Sequence, residues 1–311
     1  MSGVVANDVI RSVVTDINRN IAATLKVCGP AILTSSVSGQ APPVVQQITE
    51  IILEVLQKKH ICQQDLDGEE GEDIEEESSE YDWLVIDTAM EVITCLAAAL
   101  GPNFVELWQI FEKPVLKYAS GQEKLERSTA IGTIAECVGN MGSSVTPYTA
   151  SLMRVFLKRL GDEDPEVRSN AAYGTGLLCE KSTDEKEVLS NYSVILGKLE
   201  PLLHDQQQAR LLDNSAGCVA RMIRRHPSRV PLEDVLPALV RILPLREDYE
   251  ENTAVFDMIV TLYQANNPVI LGLTAQLKPI LEQVLGPPED QLTEETKAKV
   301  MQLVQYLQSQ A

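Results

Sequence analysis

The chain has 311 residues, is 44% hydrophobic and carries a formal net charge of -19, and at this length one compact core usually gives way to two domains or an elongated repeat. Acidic residues outnumber basic ones 45 to 26, which argues against direct nucleic-acid binding, since phosphate recognition needs clustered Lys and Arg, and favours a basic partner. The six cysteines (Cys28, Cys62, Cys95, Cys137, Cys179, Cys218) show no CxxC spacing and read as reduced core residues of an intracellular protein, and neither a membrane-length apolar run nor a leader is expected.

In chain order, 4–27 reads as the second helix of a truncated unit and 43–59 as the first helix of the next, completed by 82–100. Between those two helices stands "DLDGEEGEDIEEESSEYD", residues 65–82, with 11 acidic and no basic residues. Asp65, Asp67, Glu69, Glu70, Glu72, Asp73, Glu75, Glu76, Glu77 and Glu80 are expected to form a disordered surface insertion over 65–80, inside one repeat. Ser79 with Asp82 fits a capping box before "WLVIDTAM". Ser78 and Ser79, set among carboxylates, are also candidate kinase sites.

From residue 82 onward two kinds of helix alternate. One kind is rich in small residues: Ala89, Ala130, Ala172, Ala216 and Ala254 recur at spacings of 41, 42, 44 and 38. Around each Ala, the columns at -5, -1, +3, +4 and +7 fall on one face of a 3.6-residue helix, although Asp257 breaks the stripe in the fifth copy. Small residues there let a neighbouring helix approach closely. "DEDPEVR" supplies a helix start, with Pro165 suited to the first turn and Asp162, Glu163 and Asp164 complementing the helix dipole.

The other kind has bulky faces, such as Phe104, Leu107, Trp108 and Phe111, or Val188, Tyr192, Ile195 and Leu199. Pro114 and Pro201 are expected to kink their helices rather than end them. A last pair is expected at 268–286 and 290–308. No run alternates like a strand. The fold class is therefore all-α: a HEAT-repeat α-solenoid of stacked antiparallel helix pairs forming a curved superhelix, about six to seven pairs in a single domain over 1–311.

The order "GVVANDVIRSVVTDINRNIAATLKVCG", the acidic run ending in "EYD", "LGDEDPEVRSNAAYGTGLLCE" and "LPLREDYEEN" resembles the carboxy-terminal repeats of karyopherin-β nuclear import receptors, of the importin-4 type. The resemblance implies a monomeric receptor segment shuttling between cytoplasm and nucleus. It implies basic cargo such as histones H3 and H4, ribosomal proteins or Lys-rich localisation signals, FG-repeat nucleoporins as partners, and RanGTP acting mainly through amino-terminal repeats absent from this chain. It also implies that the second helix of each pair lines the concave face.

Two residues before the repeated Ala stand Asp87, Ser128, Asn170, Asn214 and Asn252, a polar ladder suited to holding an extended peptide, with Asp213, Glu250 and Glu251 beside it. The expected cargo site is Asn170, Asp213, Asn214, Glu250, Glu251 and Asn252. Its centre is a lysine pocket in which Glu250 and Glu251 pair with the ammonium and Asn214 adds a hydrogen bond. Against this stands the bland reading that such residues only satisfy amides in the first turns of helices. Arg221, Arg224, Arg225 and Arg229 form a small basic patch expected to complement a helix carboxy end.

Catalysis has little support. His60, His204 and His226 lie in different units and no phosphate loop is present. No cofactor, metal, membrane or nucleic acid is expected. The alternative to a cargo receptor is a HEAT-repeat scaffold that holds a folded enzyme or other protein.

Overall fold

The structure is a computed structural model that describes residues 2–34, 43–63, 75–204, 207–288 and 291–309. The described residues contain fourteen α-helices and no strand. The chain divides into two compact units, Met1–Val145 and Thr146–Ala311.

In the first unit α1 (Ser2–Thr34), α3 (Glu75–Leu100) and α5 (Lys124–Met141) pack in succession as one layer. Helices α2 (Pro43–Leu56) and α4 (Val105–Tyr118) pack on each other and on that layer. The repeated Ala89 and Ala130 are fully buried, as are Trp108, Phe104 and Phe111 of the bulky row. Each of the two Phe side chains contributes roughly 1.5–3 kcal/mol by leaving water. Helix α4 continues through Pro114, as expected.

Two expectations change here. Helix α3 starts at Glu75 rather than Asp82, so Glu75, Glu76, Glu77 and Glu80 belong to a helix, and Ser79 is interior to it instead of capping it. Glu is a good helix former, so the acidic run extends the helix rather than interrupting it. Residues 64–74, with Asp65, Asp67, Glu69, Glu70, Glu72 and Asp73, lie outside the described residues. Second, the stretch Trp83–Tyr118 is long and apolar enough to match a membrane span by length and composition. Its apolar residues Val85, Ile86, Met90, Val92, Ile93 and Leu96 are buried in this unit, where α3 packs on α1 and α5.

In the second unit α7 (Pro165–Lys181), α9 (Ala209–Arg225), α11 (Asn252–Gln264) and α14 (Glu294–Ser309) form the small-residue layer. Helices α6 (Thr149–Arg159), α8 (Glu185–Leu202), α10 (Leu232–Ile242), α12 (Pro268–Gly272) and α13 (Thr274–Val284) supply the bulky row. The start of α7 follows the sequence closely: Pro165 opens the helix, and the Asp164 carboxylate accepts from the amides of Glu166 (2.9 Å) and Val167 (3.1 Å). Arg168 donates to the carbonyls of Asp162 and Glu163, both at 2.9 Å. Such a cap contributes about 1 kcal/mol.

The small residues have a measurable reason. A Cβ on Gly176 would lie 2.8 Å from Cys218 Cα, so α7 and α9 touch backbone to backbone. A Cβ on Gly217 would fall on the carboxylate of Glu251. Every residue of α9 from Leu211 to Ile223 is buried. The five cysteines whose side chains are described, Cys62, Cys95, Cys137, Cys179 and Cys218, are buried.

Candidate binding surface

Three members of the polar ladder, Ser128, Asn214 and Asn252, are buried, while Asp87 and Asn170 are half-buried. In the first unit Asn18 Nδ2 donates to Thr88 Oγ1 (3.1 Å), and Thr129 Oγ1 donates to Asp87 Oδ1 (3.0 Å), tying α1 to α3 and α3 to α5. In the second unit Asn214 Nδ2 donates to Ser169 Oγ (2.9 Å) and to Asp248 Oδ2 (3.3 Å). Asn252 Nδ2 donates to the carbonyl of Gln291 (2.9 Å). Asn214 and Asn252 are 2% and 0% exposed, so their amides join successive helices rather than meeting a ligand. The Nδ2 groups find partners across the helix seam, while the Oδ1 atoms of Asn18, Asn214 and Asn252 are buried with none among the described residues.

Asp213 is likewise inside. Its Oδ2 accepts three successive backbone amides, from Arg246 (3.0 Å), Glu247 (2.8 Å) and Asp248 (2.9 Å). Burial pushes this carboxyl above its ordinary value despite those amides, which pull it down.

The expected lysine pocket separates into two unlike residues. Glu250 is exposed. Glu251 is 1% exposed and its carboxylate is taken by Arg221, whose Nη2 donates to Oε1 at 2.7 Å and whose Nη1 donates to Oε2. Burial pushes Glu251 above its ordinary value in spite of Arg221. Burial alone would lower Arg221, yet Glu251 holds it above its own ordinary value. The carboxylate is the more enclosed partner, with 1% of its side chain exposed against 8%, and so carries more of the desolvation cost. Glu251 therefore has no free oxygen for a cargo ammonium. Asn170 is half-buried.

Around this pair runs an ion network that sequence reading missed. Glu180 of α7 pairs with Arg221 (3.4 Å) and Arg224 (3.8 Å). Asp257 of α11 pairs with Arg224 (3.8 Å) and with Lys299 of α14 (3.1 Å). Asp257, the residue that breaks the fifth apolar stripe, is thus the hinge of the network. Arg221 and Arg224 act laterally between helices. Of the predicted basic patch, Arg225 lies 4.0 Å from the exposed Glu185.

Exposed carboxylates occur at the starts of both rows of helices, Glu106, Glu185, Glu233 and Asp234 among the bulky row, and six of them lie where α7, α11 and α14 begin. Glu163 and Glu166 flank the start of α7, Glu247 and Glu250 precede α11, and Glu294 and Glu295 open α14; all six are exposed. Arg210 bridges two of these starts, 3.5 Å from Glu166 and 3.7 Å from Asp248. Glu247 and Glu250 form no ion pair among the described residues. This edge offers negative charge and hydrogen-bond acceptors. No group of three or more His, Cys, Asp or Glu among the described residues is arranged to hold a metal.

Paired helices stacked by a period near 40 define the HEAT-repeat class of α-solenoid. No protein-family model matches the chain. The chain is 37% identical over 272 residues to the probable importin subunit beta-4 of Schizosaccharomyces pombe, covering 85% of this chain and 25% of that protein. It is 31% identical over 303 residues to importin-4 of Mus musculus, covering 96% of this chain and 27% of that protein. Importin β, crystallised in a polyethylene glycol condition, superposes with a TM-score of 0.59 at 15% identity, covering 95% of this chain and 39% of that one. Kap95 in the Kap95:Nup1 complex gives a TM-score of 0.50 at 15% identity, covering 94% of this chain and 34% of that one. By sequence and fold the chain belongs to the karyopherin-β family, of the importin-4 type. It spans about a quarter of the length of the curated relatives it matches.

Proposed function

We propose that this chain is the cargo-binding part of a nuclear import receptor, and that it takes basic protein cargo, with histones and ribosomal proteins as the expected class. The observation that carries the reading is the row of exposed carboxylates at the starts of α7, α11 and α14, in a chain of net charge -19. The central charges Glu180, Glu251 and Asp257 are already neutralised by Arg221, Arg224 and Lys299. Cargo lysines then meet Glu247 and Glu250 rather than the ladder, while the acidic run at 65–80 raises the encounter rate from a distance.

Family membership supports transport rather than catalysis, with the protein moving between cytoplasm and nucleus. The likeness to Kap95, solved with Nup1, supports nucleoporin contacts as part of the same reading, and the solved complex of Kap95p with RanGDP extends it to Ran. The test is binding of a Lys-rich histone-tail peptide at two salt concentrations, with and without residues 65–74. Binding that weakens with salt, and an association rate that falls on the deletion, are the expected results. Salt-independent binding with an unchanged rate would remove the proposal.

A further inference from the structure

The connection between α10 and α11, residues 243–251, is gripped at two places by buried carboxylates. Asp213, 2% exposed, holds the successive amides of Arg246, Glu247 and Asp248 on one oxygen. Five residues past Arg246, Glu251 is rooted in Arg221 of α9, in space that exists because residue 217 is Gly. Asp248 adds a third contact, accepting from Asn214 at 3.3 Å. The segment Tyr249–Glu251 packs on both α9 and α11. Between and beside these grips, Glu247 and Glu250 are exposed.

A surface turn does not need a buried aspartate to collect three consecutive amides, because water satisfies such groups at no structural cost. Enclosing Asp213 is unfavourable for its charge, and the three charge-assisted hydrogen bonds offset that cost only while the segment keeps this conformation. The grip therefore specifies a shape. We infer that Asp213 and Glu251 are positioning residues that fix 243–251 as a strap across α9, and so hold Glu247 and Glu250 preorganised for the lysines of a basic peptide. The inference rests on the reading above that the exposed acidic edge takes basic cargo. Ordering the strap before cargo arrives removes that entropy cost from the binding step.

The experiment uses the full 311-residue chain and two readouts. One is amide hydrogen exchange at Arg246–Asp248; the other is the affinity for a Lys-rich peptide at fixed salt. In Asp213→Ala, exchange at 246–248 rises by about tenfold or more while the amides of α9 stay protected, and peptide affinity falls severalfold. Asp213→Asn, which keeps an acceptor oxygen of the same shape, recovers part of both and remains informative if the alanine variant does not fold. Unchanged exchange at 246–248 in both variants overturns the strap. Raised exchange with unchanged affinity, while Glu247→Gln/Glu250→Gln does weaken binding, overturns the positioning role. If the double glutamine variant binds as well as the wild type, the acidic-edge reading fails and the presenting role fails with it, whereas the exchange readout still decides whether Asp213 grips the strap.

Discussion

Arg221 and Glu251 meet in a buried two-pronged pair, Nη2 on Oε1 at 2.7 Å and Nη1 on Oε2, directly over Gly217. The pair joins α9 to the segment that leads into α11, and Glu180 extends it to α7. Three successive repeats of the second unit thus share one charged centre.

Breaking that centre from one side is expected to cost far more than removing it whole. Glu251→Ala leaves a guanidinium enclosed without its partner and should destabilise by about 3–5 kcal/mol, read from the urea midpoint. Arg221→Met with Glu251→Leu should recover most of that loss. Equal costs for the single and double variants would show that packing, not charge, governs the site.

Close helix approach predicts intolerance at two glycines. Gly217→Ala displaces the Glu251 carboxylate, and Gly176→Ala presses on the Cys218 backbone. Each should cost about 1–3 kcal/mol in spite of the better helix propensity of Ala. Gly197, which a Cβ would leave in open space within α8, is the control, and Gly197→Ala should stabilise slightly.

Buried Asp213 sets a pH dependence opposite in sign to that of an ordinary surface ion pair. Burial holds both Asp213 and Glu251 above their ordinary values, but Arg221 opposes burial at Glu251, so the sign is read from Asp213. The contribution of Asp213 to stability should be fully present below the ordinary carboxylate range and be lost as pH rises through its raised value. Asp213→Asn should flatten that fall in denaturation curves taken across the interval. A variant curve parallel to the wild type would contradict the assignment. Glu295, lowered through its hydrogen bond to Lys299, acts in the reverse sense.

In the first unit Trp108 is fully buried, yet its indole nitrogen has no hydrogen-bond partner among the described residues. Trp108→Ala should cost about 3–5 kcal/mol through the cavity it leaves. Trp108→Phe should cost clearly less, because no hydrogen bond is lost. A thermal melt of the two variants distinguishes volume from polarity as the source of the loss.

Much of the fold is legible in the sequence because a repeat restates itself. Ala89, Ala130, Ala172, Ala216 and Ala254 mark the seam helices, and all five are buried. "DPEVR" announces the capped start of α7. The site is legible only in part. An Asn two residues before the repeated Ala looks the same in sequence whether it faces cargo or a neighbouring helix, and Ser169 and the Gln291 carbonyl, which accept from the Nδ2 groups of Asn214 and Asn252, lie about 40 residues away in the chain. Glu250 and Glu251 are adjacent in sequence, yet the turn of chain before α11 sends one outward and buries the other. Which of the two is free depends on Gly217 and Arg221 in the preceding repeat, a relationship that periodicity does not encode.

The most direct test of the account is the affinity of a Lys-rich peptide for the wild type and for Glu247→Gln/Glu250→Gln, measured by calorimetry at low and physiological salt. The acidic-edge reading predicts weaker binding by the variant, by about 1–2 kcal/mol at low salt, with a shallower salt dependence. Identical affinities and identical salt slopes for the two proteins would contradict it.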